Sequence, residues 1–199
     1  MKKYAFMLGV ILVFMMGWFF LSPLAIDETV NESFDFVGAD GAVDLDMIMA
    51  MPVGKRELMK GKIMQAAARA PDQAMRDDMP TGGPRVVSSG TFVDADRIHK
   101  GTGRAILYAL PDNTHVVRFE DFRTTNGPAL VVYLAKHPAP ASASDVTDGG
   151  FVKLGKLKGN VGNQNYRVPA GTDVAQFHSV VIWCELFDVL FSPAALIMQ

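Results

Sequence analysis

Short alternating runs of apolar and polar residues dominate the C-terminal half of the chain. They are rich in β-branched and aromatic residues, recur about every 8 to 12 residues, and end at Gly, Pro, Asn or Asp. No helical period and no strand–helix–strand unit lies between them. The pattern predicts an all-β domain in residues 85–199, either an antiparallel β-sandwich or a barrel-like fold. The predicted strands are residues 88–93, 103–110, 115–120, 129–136, 165–169, 179–184 and 187–191.

The N-terminus has a different pattern. Lys2 and Lys3 precede an uncharged apolar run over residues 4–26, which ends at acidic residues. A run of this length is long enough to span a bilayer, so residues 1–26 are predicted to be an uncleaved signal anchor that contacts the membrane through residues 4–26. A cleaved signal peptide is the alternative. The lysines predict a cytoplasmic N-terminus, which makes the rest of a single-pass membrane protein extracytoplasmic, in the periplasm or outside the cell.

Residues 27–84 are rich in methionine and poor in β-branched residues, which predicts a spacer. One helix is predicted within it, from Lys55 to about Ala70, and Pro71 ends this helix. The breaker sequence MPTGGPR then sets the boundary near Pro84. The segment MIMAM offers thioether sulfurs to a soft metal such as copper, but methionine as flexible packing is the favoured interpretation.

The composition and the absence of known motifs argue against several classes of function. A net charge of −2, with basic and acidic residues interspersed, gives no basic stripe for nucleic acid. The chain has no nucleophile elbow, no zincin motif and no phosphate-binding loop. Its four histidines are too dispersed for a zinc site, so no metal site is predicted. These observations give no support to a hydrolase or a transferase.

The most distinctive polar run is LGKLKGNVGNQNYRVP, residues 154–169. Its glycines permit tight turns, and its amides are able to bond nearby backbone groups. We therefore expect a fixed polar loop, which serves either as a structural plug or as a ligand platform, with the structural role favoured. The candidate ligand residues are Asn160, Asn163, Gln164, Asn165 and Tyr166.

Cys184 is the only cysteine in the chain and lies in the apolar stretch SVVIWC. If this stretch is a strand, Val180, Ile182 and Cys184 share one face, and the opposite face is also apolar. The pattern predicts a central strand with Cys184 at the end of a core-facing row. A buried thiol is inert packing, whereas a partly exposed thiol at a strand end is a redox group or a ligand to iron.

Four motifs occur in order: GTFVDADRIHKGTGRAILY, RFEDFRTTNGPALVVYL, LGKLKGNVGNQNYRVP and SVVIWCELFDVLFSPAAL. Together they resemble the DM13 domain family over residues 88–196. The resemblance implies a β-rich extracytoplasmic domain with a role in electron transfer, in which one cysteine acts as a bare thiol or as a haem ligand. Cys184 corresponds to that cysteine. Ala129 departs from the family, which has an acidic residue there.

The resemblance therefore implies a membrane-anchored, extracytoplasmic electron-transfer domain that works through Cys184 with an unknown redox or protein partner. Haem is a candidate cofactor, with His99 or His178 as a second ligand opposite Cys184. The alternative is a non-catalytic binding or interaction module in which Cys184 is structural.

Overall fold

The computed structural model of the chain describes residues 44–78 and 83–199. Two short helices and one longer one accompany ten strands in these residues. The helices are α1 (Leu45–Met49), α2 (Val53–Arg69) and α3 (Ala143–Thr147). The strands are β1 (Ala74–Arg76), β2 (Arg85–Thr91), β3 (Gly101–Ala109), β4 (His115–Thr124), β5 (Leu130–Ala135), β6 (Phe151–Lys156), β7 (Val161–Arg167), β8 (Ser179–Cys184), β9 (Val189–Ala195) and β10 (Ile197–Met198).

The strands form two sheets. One has six strands in the order β1-β7-β4-β3-β2-β10, and the other has four in the order β6-β5-β8-β9. Within these sheets only the β1–β7 pair is parallel. A bridge between Phe92 and Ala194 links the sheets, but among the described residues they do not close into a barrel. The predicted sandwich is thus confirmed, and the barrel-like alternative is wrong.

An aromatic cluster fills the space between the sheets. The ring centroids of Phe92 lie 4.9 Å from those of both Phe119 and Phe122, and the centroid of Phe119 lies 5.1 Å from that of Tyr166. Phe119 is fully buried. Edge-on and tilted contacts at these distances are favourable for aromatic quadrupoles, so this cluster joins strands that are distant in sequence.

The outer face of the four-stranded sheet is also buried. Val146 on α3 packs with Tyr133, Val181 and Trp183 in one apolar cluster. The Pro-, Ala- and Ser-rich residues 137–150 suggest a long loop, but the segment contains α3. A capping box explains the helix: the Ser142 side chain accepts from Asp145 N, and the Asp145 carboxylate accepts from Ser142 N.

The segment before the sandwich packs against it. The predicted helix near residues 55–70 is observed as α2, and Ala70 takes an extended conformation because Pro71 follows it. Ile63 and Ala67, four residues apart on one face, are the buried residues of this helix. After the helix, β1 pairs with Val161–Asn163 of β7. The sheet therefore extends into residues that the sequence assigns to the spacer, and the predicted boundary near Pro84 stays a prediction.

The predicted anchor, residues 1–26, lies outside the described residues. Within residues 44–78 and 83–199, no helix is both long enough and apolar enough to cross a membrane.

Candidate functional site around Cys184

Cys184 ends β8, which lies between β5 and β9 in the four-stranded sheet. Every residue of this strand is buried, and the exposed fraction of Cys184 is 0%. The prediction of a central strand with two apolar faces is confirmed. The thiol therefore lies inside the sandwich, at the point where β8 turns into β9.

Two turns enclose the sulfur atom. The Cys184 Sγ donates a hydrogen bond to Pro128 O at 3.0 Å, in the turn that leads into β5. That turn is held to the turn between β8 and β9 because Glu185 N donates to Ala129 O at 3.2 Å. Ala129 has a φ of 50°, a left-handed conformation that is unusual for a residue with a Cβ. The thiol is thus a hydrogen-bonded part of the junction between the two turns.

The surroundings of the thiol act on its pKa in opposite directions. Burial raises the pKa of Cys184 to about 11, and the carboxylate of Asp188 acts in the same direction. The backbone N–H groups of Phe187 and Leu186 and the ammonium of Lys60 lower this pKa, but by less than burial raises it. In this conformation Cys184 is therefore a neutral thiol near pH 7.

This pKa shift predicts a loss of stability in alkali. Below pH 9 the thiol is protonated in both states; as the pH rises from 9 to 11, the unfolded chain releases its proton before the folded protein does. Two pH units correspond to about 3 kcal/mol, which is the expected maximum loss of unfolding free energy from this group. Urea denaturation between pH 8 and 11 measures the loss. Cys184→Ala should show a shallower decline; equal slopes in both proteins would contradict the assigned shift.

Lys60 connects α2 to the turn after Cys184. Its Nζ donates to Phe187 O at 3.3 Å and lies 5.2 Å from the centroid of the Phe187 ring. Phe187 also provides one of the N–H groups that act on the sulfur. One residue of the turn thus contacts both the thiol and the helix. Sequence reasoning missed Lys60 because it lies 124 positions before Cys184, in a segment that the sequence assigns to a spacer.

The face of β8 opposite the thiol carries an ionic cluster at its edge. The hydroxyl of Tyr133 donates to Glu185 Oε1 at 2.9 Å, and Lys153 Nζ lies 2.6 Å from the same oxygen. The rings of Tyr133 and Trp183 are stacked with their centroids 6.1 Å apart. Burial and the Glu185 carboxylate raise the pKa of Tyr133, so this tyrosine stays protonated at neutral pH. Trp183 is a buried core aromatic.

His99 and His178 are placed very differently. The 95–100 loop carrying His99 lies on the turn that binds Cys184, because Thr125 Oγ1 donates to Ile98 O at 3.2 Å. His99 Nδ1 contacts Asp96 Oδ2 at 2.6 Å, and its buried Nε2 has no hydrogen-bond partner among the described residues. His178 is exposed at the start of β8. Six residues of extended chain span about 20 Å, so His178 and Cys184 cannot share an iron atom.

Haem does not fit the thiol in this conformation. An axial sulfur ligand needs the open face of a macrocycle directly beside it. Cys184 has no exposed surface, and its sulfur is enclosed by Pro128 O and by the N–H groups of the following turn. Within the described residues, no group of three or more His, Cys, Asp or Glu side chains is placed to hold a metal ion either.

The predicted polar loop is mostly a strand, which corrects the expected conformation. Residues from Val161 onward form β7, and the amides are bonded within the protein. Gln164 is fully buried: its Nε2 donates to Gly159 O at 2.7 Å and its Oε1 accepts from the Tyr166 hydroxyl at 2.6 Å. Asn160 Oδ1 accepts from Gln73 N at 2.6 Å. These contacts support the structural role over the ligand platform.

The two remaining amides of the run are also engaged. Asn163 Oδ1 accepts from Asp121 N at 2.9 Å, where β4 bulges. Asn165 Oδ1 accepts from Arg118 at 3.1 Å, and its Nδ2 donates to Asp78 O at 2.6 Å. A cavity of about 620 Å³ borders this end of β7. It is lined by Asn165 and Tyr166 together with Leu154, Lys156, Lys158 and Arg167, and not by Cys184.

The fold and the site define a class: a β-sandwich domain with one buried thiol at the end of a central strand. Comparison with known proteins gives a match over residues 91–196 to a family described as "Electron transfer DM13". The matched residues include β3 to β9 and Cys184, and the chain belongs to the DM13 family. No curated protein and no solved structure matches the chain.

Proposed function

We propose that this protein transfers electrons through Cys184 by thiol–disulfide exchange with a partner that carries a disulfide. The observation that supports this most is the position of the only cysteine, at the end of a central strand inside the residues that match an electron-transfer family. A partner sulfur is required because the chain has no second cysteine with which to form its own disulfide.

The chemistry balances without any further oxidant. The thiolate of Cys184 attacks one sulfur of the partner disulfide; the partner S–S bond breaks, a mixed S–S bond forms, and the second partner sulfur leaves as a thiolate. The proton of Cys184 goes to solvent. Two groups at the site favour the reactive thiolate, namely the N–H groups of the turn after β8 and the ammonium of Lys60. Burial opposes it and keeps the resting thiol protonated.

The native reaction of Cys184 with the aromatic disulfide DTNB tests this proposal. We expect release of one coloured thiolate per chain, with a rate that rises about tenfold per pH unit between pH 7 and 9, because only the thiolate reacts. Below the unfolding transition, the rate should rise with urea much less steeply than the equilibrium constant of global unfolding does. A rate that instead rises with urea along the global unfolding slope would make Cys184 a structural residue.

A DTNB rate that follows the global unfolding slope would favour the alternative function, a non-catalytic binding module. The cavity beside β7 is where such a module would bind, because its volume of about 620 Å³ lies in the usual range for ligand sites. Lys156 and Arg167 line it and form no salt bridge within the described residues, whereas the Asp77 carboxylate that also lines it is paired with Lys158. The cavity therefore suits an anionic ligand.

We also propose that residues 4–26 anchor the protein in a membrane, with the sandwich on the extracytoplasmic side. The uncharged apolar run between Lys3 and Asp27 supports this. Retention in washed membranes after alkaline carbonate extraction is expected. Recovery of the intact chain in the soluble fraction would contradict the anchor, and recovery of a shortened chain would instead support a cleaved signal.

A further inference from the structure

Helix α2 and the short strand after it lie outside the residues that match the family, which begin at position 91. Even so, this segment contacts the two turns that enclose the thiol, through Lys60 and through the carbonyl oxygen of Ala70. We propose that residues 53–76, hereafter the cover, form a hinged lid over the Cys184 turn, and that Lys60 is the latch that holds the lid closed. The proposal deepens the proposed function, on which it rests, because it names what controls access to the thiol.

The latch is the contact between Lys60 and Phe187. The ammonium both donates to the carbonyl oxygen of Phe187 and lies over its ring. Phe187 and Leu186 are themselves only 5% and 7% exposed, although they lie in a turn. A turn at the end of a sandwich is normally solvated, and Lys60 lies over the Phe187 ring, so α2 contributes to the burial of Phe187.

The hinge lies at the other end of the cover. The Asn126 side chain donates to Ala70 O at 2.8 Å, just after the helix ends. Beyond Ala70, Asp72 pairs with Arg123 at 2.8 Å, and β1 pairs with β7. This end is bound by strand pairing and by several polar contacts. Residues 70–76 therefore anchor the cover on the sandwich, and the backbone rotates just before them, at the C-terminal end of α2.

The helix itself is weakly held between latch and hinge. Of its residues only Ile63 and Ala67 are buried, and Leu58 is 90% exposed. A segment with few buried apolar contacts opens at a lower free energy than the whole domain does. The sandwich core beneath it, in contrast, is continuous and fully buried. Opening of the cover is therefore expected to be local and to leave both sheets intact.

The closed cover is consistent with the resting state of the thiol, because Lys60 holds the turn that encloses the sulfur. With the cover in place, Cys184 has no exposed surface and burial raises its pKa. Displacement of α2 would release the Phe187 side of the turn, which could then move away from the sulfur and let a partner disulfide approach. The partner would thus enter from the face that α2 now occupies.

The test measures alkylation of Cys184 by iodoacetamide in the native full-length chain, followed by mass spectrometry. Lys60→Ala removes the latch, and Ile63→Ala weakens the packing of the helix without changing any charge. We expect each to accelerate alkylation by about tenfold or more, with a urea dependence of the rate that stays well below the global unfolding slope of the same variant. Lys62→Ala is the matched control, because Lys62 is an exposed lysine on the same helix without a hydrogen bond or salt bridge in the described chain.

The sign of the Lys60→Ala effect separates a latch from a purely electrostatic role. The ammonium of Lys60 lowers the pKa of the thiol, so loss of its charge alone would reduce the thiolate fraction and slow the reaction. Acceleration therefore requires increased access. An unchanged or slower rate in both Lys60→Ala and Ile63→Ala would overturn the proposal, as would an equal acceleration in Lys62→Ala.

The experiments distinguish a wrong lid proposal from a wrong proposal of thiol exchange. If the variants leave alkylation unchanged while the DTNB rate of the native chain still rises with urea much less steeply than global unfolding does, the cover is wrong and thiol exchange stands. If the variants speed alkylation but the exposed thiol forms no mixed disulfide with oxidised glutathione, the cover stands and thiol exchange is wrong.

Discussion

Phe119→Ala is expected to lower the free energy of unfolding by about 3 to 5 kcal/mol, the usual cost of deleting a fully buried ring. Phe119 is 0% exposed and contacts the rings of Phe92, Phe122 and Tyr166, so no single neighbour is able to fill the space. Because Phe119 belongs to the six-stranded sheet, the variant should lower the free energy of unfolding of the whole sandwich. Urea denaturation at neutral pH measures it.

Phe151→Ala provides the control for this prediction. Phe151 loses a ring of the same size, but it is 41% exposed on an edge strand and stacks on one face of Tyr133 with the centroids 4.1 Å apart. Its loss should cost about 1 kcal/mol. Similar costs for the two variants would mean that the aromatic cluster is not the centre of the core.

Gly162→Ala is expected to detach β1 from the sheet. A Cβ at this position would lie 2.0 Å from Met75 O, and Gly162 has a φ of +101°. Both the collision and the backbone strain oppose an alanine, and the collision is with the backbone of the neighbouring strand. The expected result is a loss of about 2 kcal/mol or more in unfolding free energy. Hydrogen exchange measures the accompanying loss of amide protection in β1.

Gly171→Ala separates strain from collision. Gly171 has a φ of +79°, but a Cβ there would meet no atom within 4 Å. This control should lose only the strain energy of about 1 to 2 kcal/mol and should keep β1 protected. If Gly162→Ala also kept β1 fully protected, the close approach of β1 to β7 would be contradicted, and with it the hinge end of the cover.

The sandwich and its central strand were predictable because they depend on local pattern. In 179–184 both faces are apolar, and the strand forms with those bounds between two others. The loop predicted for residues 154–169 was wrong in its conformation because the amides suggest a loop, whereas in the fold most of them bond residues that are far away in the sequence. Asn160, for example, accepts from Gln73 N. Residue type gives the hydrogen-bonding capacity of an amide but not the position of its partner.

The sequence identifies the cysteine of the candidate site, but it does not identify the residues that surround that cysteine. Cys184 could be identified as the only cysteine and from the DM13 motifs. The contact of Lys60 with Phe187 could not, because it joins segments 127 positions apart and because α2 has only two buried residues to show which face packs. The acceptor Pro128 O was equally hidden, since a backbone carbonyl carries no sequence signal.

In the proposed function, Cys184 exchanges with a partner disulfide while the sandwich stays folded. Equilibration of the native full-length chain in glutathione buffers from fully reduced to fully oxidised, with intact mass and circular dichroism recorded together, tests it most directly. We predict one glutathionyl group per chain, on Cys184, which forms and is removed reversibly with the β-sheet signal unchanged. Modification only where the sheet signal is lost would contradict the proposed function and assign Cys184 to packing.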